Sequence, residues 1–89
     1  MNKSLILEVH GRVQGVGFRY FVQRKATELS IKGFVKNKYN ETVYIEAEGV
    51  ETNLKEFISA LYLGNSYSRT DNIFTQEQPW QNFGEFSIK

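Results

Sequence analysis

The residues whose types and spacing could do chemistry lie early in the chain, where Val9 to Phe21 reads VHGRVQGVGFRYF. An apolar strand leaves through Gly11, Gly15 and Gly17, and Arg19 stands at the start of a helical pattern. Glycines let a backbone turn back on itself, so successive N–H groups can converge into a nest for an anion. A helix N-terminus adds free N–H groups and the positive end of its dipole. A guanidinium in the first turn can grip two phosphate oxygens, and a bound anion would reverse the mild penalty of a cation placed there. The stretch VQGVGF carries no acidic side chain to oppose this. The chemistry implied is phosphate binding. A sharp turn with a solvated arginine would leave the same pattern, and the loop alone does not decide between them. It is neither a P-loop, since no G-x-x-x-x-G-K-[ST] occurs, nor a dinucleotide fingerprint, since Gly15-x-Gly17 lacks the third glycine.

The elements that must position this loop follow from periodicity. Leu5, Leu7 and Val9 share one face of a strand running to Arg12, with Glu8, His10 and Arg12 on the other. Phe18, Val22, Ala26 and Leu29 recur at helical spacing, and Ser30 with Lys32-Gly33 suggests the helix stop. Phe34 to Tyr39 reads as a second strand. A turn around Asn40-Glu41 leads to a third from Thr42 to Glu48, with Val43, Ile45 and Ala47 inward, Tyr44, Glu46 and Glu48 outward, and Gly49 ending it. A second helix, Thr52 to Leu63, carries Leu54, Phe57, Ile58 and Leu61, with Thr52 or Asn53 as its cap. Asp71 to Glu77 predicts a fourth strand, and Phe83 to Ile88 a short last one. The order β-α-β-β-α-β predicts an α+β, ferredoxin-like split βαβ fold: two helices on one face of an antiparallel sheet of four to five strands.

That topology offers the loop a partner. A right-handed crossover makes the first two strands parallel, so their C-terminal ends meet at one edge of the sheet. Reading down GFVKN brings Asn37 to that edge, on the face shared with Val35. An asparagine flanking a hairpin turn would sit there as well. The lone histidine, His10, falls with Glu8 and Arg12 and reads as an ordinary sheet residue. Glu46 and Glu48 read as a solvated same-face pair.

Composition bounds the function. A length of 89 residues predicts one domain, residues 1–89. Hydrophobic residues at 40% are enough for a core. A net charge of +1 gives no broad basic field, so neither nucleic acid nor a membrane surface is an expected partner. The element order also suits an RNA-binding module, but outward Tyr44 is flanked by Glu46 and Glu48, which would repel phosphates. With no cysteine and one histidine, thiolate and His-rich metal sites are excluded. The short N-terminal apolar run lacks the length of a signal-peptide core and no later segment suits a span, so a cytoplasmic protein is expected.

The segments GRVQGVGFR (Gly11 to Arg19), GFVKN (Gly33 to Asn37) and TVYIEAEG resemble the acylphosphatase family, over essentially the whole chain. The resemblance implies a small ferredoxin-like hydrolase of acyl phosphates with no metal or other cofactor. It makes Arg19 the phosphate-binding arginine and Gln14, Gly15, Val16, Gly17 and Phe18 the backbone cradle. Asn37 becomes the residue that holds the attacking water. A small-molecule acyl phosphate is then the partner, and a monomer is the expected state. The chain departs from the family pattern at Lys36, at the Asn40-Glu41 turn and in GNSYSRTD (Gly64 to Asp71), which lacks the expected proline. A non-catalytic acyl- or carbamoyl-phosphate-binding domain, or a small regulatory domain, is the alternative. With Arg19 and Asn37 both in place, the expectation is an enzyme.

Overall fold

Period-two and period-3.6 patterning produces seven elements in the computed structural model, which describes residues Met1–Lys89. They are β1 (Asn2–Arg12), α1 (Phe18–Glu28), β2 (Lys32–Asn37), β3 (Val43–Val50), α2 (Glu51–Leu63), β4 (Arg69–Gln78) and β5 (Ser87–Ile88). The strands form one sheet in the order β4-β1-β3-β2-β5. Three pairings are antiparallel, and β5 adds parallel to β2, which makes the sheet mixed. The helices pack on it through one core: Leu7, Val9, Val35, Val43 and Ile45 from the sheet against Phe18, Val22, Ala26, Leu54, Phe57 and Leu61 from the helices. This is the expected ferredoxin-like arrangement.

Long-range contacts moved several boundaries. α1 ends as the sequence suggests, with Ser30 in the left-handed region at φ 57° and the Ile31 N–H reaching back to the Ala26 carbonyl at 2.8 Å. Gly33 lies inside β2 and plays no part in that stop. β3 runs through Gly49 to Val50, and α2 follows at once with Val50 as its N-cap. Neither Thr52 nor Asn53 caps it. The chain can pass straight from strand to helix because the Met1 carbonyl accepts the Glu51 N–H at 2.8 Å and Lys3 pairs with Glu51 at 3.2 Å. Asn53 instead donates to the Leu29 carbonyl at the end of α1.

Glu48 is the clearest correction. It points away from the helices, as expected, yet it is fully buried. Its two carboxylate oxygens accept the N–H groups of Gln81 at 2.9 Å and Phe83 at 2.7 Å. The segment between β4 and β5 therefore lies across the outer sheet face. There Phe83 meets Phe34 edge-on at 5.8 Å, while Phe86 joins the core beside Phe57. This wrap delivers β5 to the edge of β2, where Lys89 N–H bonds the Val35 carbonyl at 2.8 Å.

Candidate active site

The site is built where the C-terminal ends of β1 and β2 meet. Both strands run antiparallel to β3, and Val9 and Asn37 pair with the same residue, Val43, from either side. Beyond β1 the chain turns through Gly15 at φ 73° and Gly17 at φ 75°, the latter serving as the N-cap of α1. Two left-handed residues so close together demand glycine, since a Cβ there is strained by about 1–2 kcal/mol. Gly17 brings no side-chain cap, and the first turn of α1 holds no acidic residue. The N–H groups of Gly15, Val16 and Gly17 find no acceptor in the protein. Unsatisfied donors at the positive end of a helix favour an anion.

A cavity of about 200 Å³ opens at this point, lined by Gly15, Gly17, Phe18, Arg19 and Asn37. Val13, Tyr20 and Ile88 complete its wall. Arg19 is half-buried and forms no ion pair with any carboxylate of the chain. The Asn37 Oδ1 is buried and accepts no hydrogen bond. A buried polar atom left unpaired costs about 1–3 kcal/mol, so it is retained where a ligand or water is to be held. The structure thus brings the sequence-derived residues Gly15, Gly17, Phe18, Arg19 and Asn37 together around one space.

Gln14 and Val16 are not on the cavity wall; they hold the loop in place. The Gln14 carboxamide donates to the carbonyls of Lys38 and Thr42, both at 2.8 Å, clasping the loop to the β2–β3 turn. The Val16 carbonyl accepts from Asn65 Nδ2 at 2.9 Å, tying the loop to the α2–β4 connection. Sequence reasoning missed both clasps. A two-donor Gln opening a glycine loop was a usable signal for the first. Asn65 following Gly64 was only a turn signal for the second. Ile88 was also missed, because it reaches the site only through the parallel pairing of β5.

His10 belongs elsewhere. On the outer face its ring bonds Glu8 Oε1 at 3.0 Å, while Lys38 approaches Glu8 Oε2 at 3.2 Å. The His10 hydrogen bond, then that of Lys38, holds the Glu8 carboxyl below the usual carboxylate range.

Fold and site define the class: a ferredoxin-like α+β protein whose glycine loop, arginine and asparagine converge at one end of the sheet. The Acylphosphatase family model matches residues 5–88. An acylphosphatase of Bacillus licheniformis is 43% identical over 81 residues, spanning 90% of each chain. The crystal structure of acylphosphatase from Bacillus subtilis superposes with a TM-score of 0.95 at 40% identity, covering 100% of this chain and 99% of that one. HypF of T. kodakarensis matches at a TM-score of 0.83 and 39% identity, covering 97% of this chain but 12% of that larger one. The chain belongs to the acylphosphatase family and is a hydrolase acting on acyl phosphates.

Proposed function

We propose that the chain hydrolyses the carboxyl–phosphate bond of acyl phosphates to a carboxylate and inorganic phosphate, with no metal or cofactor. Arg19 and the N–H groups of Gly15, Gly17 and Phe18, all on the cavity wall, hold the phosphoryl oxygens, and Asn37 orients the attacking water. Phosphoryl transfer leaves little covalent work for a protein, so positioning and charge stabilisation carry the rate. Arg19 neutralises charge that spreads over the phosphoryl oxygens, and the backbone donors are preorganised for it.

Water oxygen forms the new bond to phosphorus as the bond to the acyl oxygen breaks. The leaving carboxylate has a conjugate acid of pKa about 4, by analogy with Asp and Glu, and departs without a proton. No general acid is needed. The water's proton passes to an oxygen of the substrate phosphate. Asn37 is neutral and no base, but its carboxamide can accept one hydrogen bond from water and so fix it in line.

The observation that carries this reading is the buried, unpartnered Asn37 Oδ1 on the same cavity wall as the unpaired Arg19. The test is hydrolysis of benzoyl phosphate with chelator present by the parent, Arg19→Ala and Asn37→Ala. Loss of one preorganised contact should lower turnover about 100- to 1000-fold. Asn37→Ala should keep its affinity for inorganic phosphate, and equal loss of binding and turnover would sink the water-holding role. A folded parent that binds phosphate without turning over benzoyl phosphate would overturn this reading.

A further inference from the structure

We propose that Asn65 is a positioning residue for phosphoryl binding, because its carboxamide sets the orientation of the Val16–Gly17 peptide. This rests on reading the loop as the phosphoryl cradle. The carbonyl of Val16 and the N–H of Gly17 belong to one planar trans peptide and point in opposite directions. Asn65 Nδ2 donates to that carbonyl at 2.9 Å, the one hydrogen bond it makes. Holding the carbonyl outward turns the Gly17 N–H toward the cavity that Gly17 lines. Gly17 adopts either sign of φ with little penalty, so the loop's own chemistry does not hold this peptide. A flip would put the Val16 carbonyl where the donor was and present an acceptor to an anion.

Asn65 is itself held. Its N–H donates to Ser68 Oγ at 2.9 Å, its carbonyl accepts the Ser68 N–H at 3.3 Å, and its Oδ1 accepts the Tyr67 N–H at 3.3 Å. The carboxamide therefore meets Val16 in one fixed orientation.

The test compares the parent with Asn65→Ala, Asn65→Asp and Ser66→Asp. Asn65→Asp keeps the acceptor for Tyr67, replaces the donor with a carboxylate oxygen facing the Val16 carbonyl, and adds a negative charge. Ser66 is exposed, so aspartate there adds the same charge next door without touching the bond. The readouts are the dissociation constant for inorganic phosphate, KM and kcat for benzoyl phosphate, the thermal midpoint, and the Gly17 amide resonance of the ligand-free protein. Both position-65 variants should bind phosphate about five- to tenfold more weakly, the worth of one hydrogen bond, with a shifted or broadened Gly17 amide. Ser66→Asp should stay within about twofold on an exposed site. If the alanine variant does not fold, Asn65→Asp against Ser66→Asp decides alone. Parent-like phosphate affinity in a folded position-65 variant, whatever its thermal midpoint, would overturn the role of Asn65. A parent that neither binds phosphate nor turns over would overturn the cradle reading beneath it.

Discussion

Glu48→Gln tests how the C-terminal segment is held. The carboxylate is fully buried, has no cationic partner, and accepts two backbone N–H groups at 2.9 and 2.7 Å. Glutamine keeps one acceptor and turns an NH₂ toward the other N–H. The lost charge-assisted bond is worth about 1.5–3 kcal/mol, and the orphaned donor adds about 1–3 kcal/mol. Opposing this, a neutral amide is less penalised than an unpaired carboxylate by burial, an effect of a few kcal/mol. The two lost contributions outweigh the relief, leaving a destabilisation of about 2 kcal/mol. At about 4–8 °C per kcal/mol for a domain of this size, the thermal midpoint should fall by about 8–16 °C. Amide exchange should localise the effect: the Lys89 N–H, bonded to Val35, should lose protection before the β1–β3 ladder does. A glutamine variant as stable as the parent would refute the reasoning. The segment would then be held by the packing of Phe83 and Phe86, with the charge buried at a net penalty.

Other predictions concern the sheet. Gly33 sits in β2 at φ 139°, and a Cβ there would stand 1.8 Å from the Glu46 carbonyl oxygen, so Gly33→Ala must part β2 from β3. Urea unfolding should show a loss above about 3 kcal/mol, against about 0.5 kcal/mol or less for Gly84→Ala, where a Cβ meets nothing within 4 Å. Comparable losses would refute the steric argument. The lowered pKa of Glu8, set first by its hydrogen bond with His10 and then by Lys38, stabilises the fold above the ordinary carboxylate range and ceases to as pH falls through the folded-state value. Glu8→Gln should therefore be less stable than the parent at pH 7, and the gap should close below about pH 4. A gap of equal size at pH 7 and pH 3 would count against the pairing.

Short-range chemistry made much of this protein legible from its residues. Alternation at Leu5-Leu7-Val9 and Val43-Ile45-Ala47, with helical spacing from Phe18, set the element order, because side-chain period depends on the local backbone alone. The glycine loop and Arg19 were equally legible, since positive φ and a helix N-terminus are local properties. Tertiary structure decided the rest. Asn37 could be a turn asparagine or a site residue until pairing to Val43 placed it on the cavity wall with Arg19. Glu48 carries an outward strand parity that says nothing of what lies across it, and only the return of the chain at Gln81 and Phe83 buries it. The clasps at Gln14 and Asn65 span 24 or more residues of sequence, and no periodicity encodes such contacts. They depend on which loops the sheet order and the two crossovers bring to one end.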